Sequence, residues 1–171
     1  NYSECAEHCR LLVQTTGRTF IHPYDDPLVI EGQGTIGQEI LEQLKDVTHI
    51  FVPVGGGGLI SGVASVVKRD NPQVKIIAVE PEDAACLHKA LKLNRRVVLP
   101  YVGIFADGVA VKQVGKLPFE LAKKYVDDSI TVTNDQVCAA MKSVFEDTRA
   151  IVEPAGALAT AGAHKYAEKV G

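Results

Sequence analysis

The sequence predicts an α/β fold, a mostly parallel twisted sheet flanked by helices, on three observations. Strand-like and helix-like stretches alternate along the 171 residues, the order expected of β-α-β units. Two near-continuous apolar runs of strand length, His49–Val54 and Val74–Val79, suit strands covered on both faces. Four glycines, Gly55–Gly58, join the first run to a helix-like segment, and ligands of open α/β sheets bind at such strand-to-helix turns.

Residues 3–16 place Cys5, Cys9, Leu12 and Val13 at helical spacing, with Gly17 as a stop. Thr19–Ile21 reads as a short strand, and residues 22–34 read as a loop rich in turn residues (Pro23, Asp25, Asp26, Pro27, Gly32, Gly34). Thr35, three residues before Gln38, gives a capping-box pattern, with Ile36, Ile40 and Leu44 as the buried stripe of the helix it opens. Pro53 belongs at a strand end, because it cannot donate to a ladder. The helix after Gly58 carries Leu59, Ile60, Val63, Ala64 and Val67 on one side. Helices over about 83–92 and 118–126 flank a loop-rich stretch, and Ile130–Val132 forms a strand. Thr133 and Gln136 repeat the capping box before a stripe of Val137, Ala140, Met141, Val144 and Phe145. An Ala-rich helix follows Pro154. With no internal repeat and no linker, residues 1–171 read as one region.

Apolar residues make up 46% and charged residues 23%, ordinary for a globular chain. A net charge of −3 argues against nucleic acid as partner, since phosphate neutralisation needs a basic stripe. No apolar run reaches the roughly 18 residues of a membrane span, and the start lacks a signal-peptide pattern. Four scattered cysteines fit a reducing setting rather than a disulfide framework. The sequence therefore reads as soluble and intracellular. Asn1 stands where a natural start would carry Met.

Chemistry is expected at Gly55–Gly58. Consecutive glycines cost backbone entropy on folding, so a structural role alone is a poor reason for them. A backbone free of Cβ atoms, with a helix N-terminus behind it, can gather N–H groups into a nest for a phosphate. A mobile or tightly packed turn is the plain alternative. The spacing fits neither a Walker loop nor Gly-x-Gly-x-x-Gly/Ala. Glu80, 22 residues past Gly58, stands where a ribose-binding acid would, which keeps a nucleotide-binding module as the alternative.

Several phrases carry a resemblance: Gly32-Gln33-Gly34-Thr35-Ile36, Phe51 to Leu59, Val79-Glu80-Pro81 with Ala84-Ala85-Cys86-Leu87, Phe105 to Val111, and Val152 to Ala157. In this order, over essentially the whole chain, the sequence resembles the biosynthetic threonine ammonia-lyases (threonine dehydratases). These are tryptophan-synthase-β-like, fold type II enzymes that use pyridoxal 5'-phosphate. The resemblance implies that Gly55, Gly56, Gly57, Gly58 and Leu59 hold the cofactor phosphate through backbone N–H groups. It also implies deamination of L-threonine, and in some members L-serine, to a 2-oxo acid and ammonia, the entry to isoleucine synthesis. A homo-oligomer is implied for the full-length protein, cytoplasmic if bacterial, mitochondrial or plastid if eukaryotic. Serine dehydratase, serine racemase and catabolic threonine dehydratase are near alternatives within the fold, and a catalytically dead homologue is another.

The family's cofactor-bearing lysine lies in a Ser-x-Lys motif, and no lysine from Lys45 to Lys169 is preceded by one. No catalytic residue is therefore assigned, and the lysine segment and regulatory domain are expected outside this chain. Lyase activity is not expected of the chain alone. Related serine racemases bind a divalent ion through a Glu at the Glu80 position and an Asp six residues on. Cys86 replaces that oxygen ligand here, so no metal is expected. Cys5, His8 and Cys9 read as core packing rather than a zinc cluster. Asp25, Asp26, Lys123 and Lys124 read as solvated charges, and His22 and His49 as structural. Glu153 could face a cofactor or cap the helix behind Pro154. Asp107-Gly108 is equally open, its glycine allowing close backbone approach.

Overall fold

Three parallel strands set the frame of the computed structural model, which describes residues 2–170. β1 (His49–Pro53), β2 (Lys75–Pro81) and β3 (Asp128–Val132) pair in the order β1-β2-β3. His49 lies opposite Lys75 and Pro53 opposite Val79, while Ile77 lies opposite Asp128 and Pro81 opposite Val132. Pro53 ends β1 as expected, and the next amide, Val54 N–H, donates to Val79 O at 2.9 Å.

Strand alternation sorts side chains into two cores. Ile50, Val52, Ile76 and Ala78 join one, with Ile60, Val63 and Val67 of α3 (Gly58–Asp70) and Leu87 of α4 (Cys86–Leu93). Val79 and Val132 join the other, with Ala155, Leu158 and Ala161 of α7 (Pro154–Val170) and Val137 and Ala140 of α6 (Asn134–Thr148). Thus α7 crosses one face with α6 against it, while α3 and α4 cover the other with α2 (Pro27–Gln43) and α5 (Lys116–Tyr125) packed on α3. Each fully buried Ile or Leu here contributes roughly 1.5–3 kcal/mol. The capping box at Thr133 is present, with Gln136 N–H donating to Thr133 Oγ1 and Thr133 N–H to Gln136 Oε1.

The N-terminal third departs from expectation. Thr19–Ile21 is irregular rather than a strand; Phe20 and Ile21 stay exposed. The helix predicted to open at Thr35 starts eight residues earlier, at Pro27. Asp26 caps it by accepting from Leu28 and Val29 N–H, with proline at the first position. Thr35 lies inside α2 and donates to Gly32 O at 2.8 Å. The expected stripe is also rotated: Ile36 and Leu44 are exposed, and the buried positions are Ile30, Gly34 and Gly37.

The reason is close helix crossing. A Cβ on Gly62 of α3 would lie 2.3 Å from Ile30 O and 2.7 Å from Gly34 N. A Cβ on Gly37 would lie 3.0 Å from Val63 O. Backbone contact at this distance needs glycine on both helices, so the glycines that read as a loop are the packing face. In α1 (Tyr2–Thr16) the expected core packing is also corrected. Cys5 and His8 are exposed and Cys9 is only partly buried, because α1 packs little surface against the other elements. No group of three or more metal-ligating side chains is found among the described residues.

Candidate functional site

The four glycines leave β1 at its carboxyl end and run into the start of α3. Gly57, at φ +92°, takes the left-handed conformation that turns the chain into the helix. Three carbonyls of this loop are held on the protein side. Gly55 O accepts from the Cys86 thiol at 3.4 Å and Gly56 O from Gly115 N–H at 3.0 Å. Gly57 O accepts from both Ser61 Oγ, at 2.7 Å, and Ser61 N–H, at 3.1 Å. In a planar trans peptide, N–H points opposite to C=O, and no peptide bond among the described residues is cis. The amides of Gly56, Gly57 and Gly58 therefore point away from those partners. The first amides of α3, Leu59 among them, lie outside the intrahelical ladder and add the positive end of the helix dipole.

Gly55–Gly58 and Leu59 line a cavity of about 470 Å³, within the range of small-molecule sites. Asp107, Gly108 and Glu153 line it as well, and among the described residues no Lys or Arg does. An anion held at this end must rely on main-chain amides. Glu153 stands at the start of α7 and at the edge of the cavity. Its carbonyl accepts from Ala157 N–H at the start of α7, and the residue lines the cavity, with Oε1 3.3 Å from where a Cβ on Gly108 would lie. A Cβ on Gly108 would lie 3.0 Å from Ala155 Cβ, so that glycine lets the 107–109 turn settle on α7.

The expectation that packing is a poor reason for the glycines is overturned. A Cβ on Gly55 would come 2.9 Å from Val109 Cα, and one on Gly57 2.8 Å from Pro118 Cβ. One on Gly58 would come 2.9 Å from Tyr24 Cα, and one on Gly56 2.2 Å from the Tyr24 ring. The chain's own atoms demand all four, and the same tight seating turns the amides outward.

Two residues that shape this seating, Tyr24 and Asp25, escape sequence reasoning. His22 Nδ1 accepts from Asp25 N–H at 3.0 Å, and its ring meets the Tyr24 ring edge-on, so His22 is structural as expected. Asp25 is no solvated charge. Its carboxylate takes Lys116 and Leu117 N–H at 2.7 and 2.9 Å, capping α5 from 91 residues away. Asp26 caps α2. Lys123 and Lys124 are exposed, as expected, with Lys123 paired to Glu120 at 2.8 Å. His49 contacts Thr48 and the rings of Phe51 and Tyr166.

Glu80 is fully buried and faces no ribose, which removes the nucleotide alternative's acid. Its carboxylate accepts from Leu87 N–H at 2.8 Å and His88 N–H at 2.6 Å, fixing the first turn of α4. Burial pushes its pKa up to about 7, although the hydrogen bonds from the Leu87 and His88 amides pull the other way. The folded chain thus holds this proton more tightly than the unfolded one between about pH 4.5 and 7, and Glu80's contribution to stability falls as pH rises through that window. Glu80→Gln, the neutral isostere, is expected to flatten that fall. The check is the difference between parent and variant unfolding midpoints in urea from pH 5 to 8; parallel curves would contradict it.

A family model described as "Pyridoxal-phosphate dependent enzyme" matches residues 1–171. The chain belongs to this family. Among curated relatives it is 51% identical to "L-threonine dehydratase biosynthetic IlvA" of Burkholderia multivorans, covering 100% of this chain and 34% of the relative. It is also 51% identical to "Threonine dehydratase biosynthetic, chloroplastic" of Arabidopsis thaliana, covering 100% of this chain and 29% of the relative. The processed form of threonine deaminase isoform 2 from Solanum lycopersicum superposes with a TM-score of 0.93 at 48% identity, over 95% of this chain and 48% of that one. The chain thus spans about a third of the length of these curated relatives. No described helix is long and apolar enough to cross a membrane.

Proposed function

We propose that this chain is the cofactor-phosphate part of a pyridoxal-phosphate dependent threonine ammonia-lyase, with Gly55, Gly56, Gly57, Gly58 and Leu59 holding the phosphate. The observation that carries the reading is the loop whose Gly55, Gly56 and Gly57 carbonyls are engaged behind it at a helix N-terminus. Its amides fit a dianion, and among the described residues no Lys or Arg lines the cavity to neutralise it. When bound, pyridoxal 5'-phosphate supplies the electron sink that lets an amino acid lose its α-proton. The chain's own residues bind and orient: amides 56–59 fix the phosphate, Tyr24 closes over the loop, and Asp107 and Glu153 set the acidic side of the cavity.

The reaction in this reading converts L-threonine to 2-oxobutanoate and ammonia within isoleucine synthesis, in keeping with relatives named biosynthetic threonine dehydratases. The longer protein then supplies the lysine that carries the cofactor, the regulatory domain and a homo-oligomeric assembly. L-Serine is the competing substrate. The test has two arms. Adding pyridoxal 5'-phosphate to the 171-residue chain should move the amide resonances of residues 56–59 and leave L-threonine unconverted beyond the cofactor alone. The longer polypeptide that embeds the chain should release 2-oxobutanoate and prefer L-threonine to L-serine in kcat/KM. Unmoved amides would sink the phosphate assignment, and a preference for L-serine or racemisation would sink the substrate.

A further inference from the structure

The cavity is absorbed by the proposed function, but the buried pair behind it is not. Glu80 and Cys86 are both fully buried, and neither lines the cavity. Glu80 stands near the end of β2, beside β1 in the sheet. Its two carboxylate oxygens take one main-chain amide each from the first turn of α4. Cys86 is the first residue of that helix. Its thiol reaches across 31 residues of sequence to Gly55 O at 3.4 Å, a length normal for a sulfur donor. The Gly55 carbonyl is the first of the three that face away from the cavity, and its peptide partner is the Gly56 amide.

We propose that Cys86 is a positioning residue for the phosphate-binding loop. Seated by Glu80 through the first turn of α4, its thiol holds the Gly55 carbonyl back and so aims the Gly56 N–H into the cavity. This rests on the reading of Gly55–Leu59 as a phosphate loop. The other two carbonyls have their own retainers, Gly115 N–H and Ser61, so each of the three peptides is pinned separately. Gly55 is the residue where the strand has ended and the helix has not begun, with no ladder partner to fix its plane. A side-chain donor from a neighbouring helix is what the geometry requires there. Burial and the neighbouring Glu80 carboxylate, a second acceptor within reach of the thiol, push the Cys86 pKa up, so the sulfur keeps its single proton and remains a donor at any physiological pH.

A packing role predicts something different. Cys86 belongs to the apolar core around α3 and α4, and a residue that only fills space is replaced well by valine. The experiment titrates inorganic phosphate, then pyridoxal 5'-phosphate, into the 171-residue chain and its Cys86→Val and Cys86→Ser variants. It follows dissociation constants, the ³¹P resonance and the Gly56 amide resonance. Valine keeps the volume and removes the donor, so affinity should fall about 10-fold, the worth of one hydrogen bond, with the Gly56 amide displaced most. Serine keeps a donor and should recover most of that loss. Parent-like affinity in Cys86→Val, or equal losses in the two variants, would overturn the positioning role alone. No ³¹P or amide response in the parent would overturn the loop reading and this inference with it.

Discussion

Gly56→Ala is expected to weaken binding of pyridoxal 5'-phosphate about 100-fold, close to 3 kcal/mol and at the upper end of overpacking costs. The added methyl would come within 2.2–2.4 Å of three ring atoms of Tyr24. The ring has little room to yield. Its own backbone is seated on Gly58, where a Cβ would lie 2.9 Å from Tyr24 Cα, and its edge packs on His22 at 4.6 Å between centroids. The relief left is movement of the ring into the cavity it lines, or of the loop away from it, and either spoils the amide nest. Titration of the chain with the cofactor measures the loss. Tyr24→Ala in the same chain removes the opposing ring, so the double variant should regain more affinity than additivity allows. Binding within about threefold of the parent in Gly56→Ala would contradict this geometry.

The loop was legible because its signal is local. Four glycines between an apolar strand and a helix leave few alternatives, and the Thr133 capping box is written within four residues. β1 and β2 are legible for the same reason, since burial leaves short runs almost free of polar residues. β3, only partly buried before Val132, is marked by its β-branched residues Ile130, Thr131 and Val132. What escaped is set by contacts distant in sequence. Asp25 reads as a turn charge because the amides it caps are 91 residues away. Tyr24 gives no sign of touching Gly56 and Gly58. Glu80 carries the same letter whether it binds a ribose or caps a buried helix, and only its burial decides. The opening of α2 was partly recoverable: Asp26-Pro27 is a cap followed by proline at the first helical position. The capping-box pattern at Thr35 and the neighbouring glycines outweighed it.

Those glycines yield the sharpest stability contrast in the chain. Gly32 and Gly62 both lie inside helices, where alanine is intrinsically favoured by about 1 kcal/mol. At Gly32 a Cβ meets nothing within 4 Å, so Gly32→Ala is expected to stabilise the chain by about 0.5–1 kcal/mol. At Gly62 the propensity gain is the same, but the methyl would enter the backbone of α2, 2.3 Å from Ile30 O and 2.7 Å from both Gly34 N and Gln33 Cβ. Main-chain atoms in a helix cannot rotate aside, so α2 and α3 must separate along the crossing that Gly34 and Gly37 also line. Gly62→Ala should therefore destabilise by about 3 kcal/mol despite its better helix propensity, read as opposite shifts of the urea midpoint for the two variants. Because α3 begins at Gly58, displacing it also moves the helix end behind the phosphate loop, and cofactor affinity should fall in Gly62→Ala but not in Gly32→Ala. If both alanines raised the midpoint, the two helices could not be crossing through glycine, and the register that seats α3 beneath the loop would be wrong.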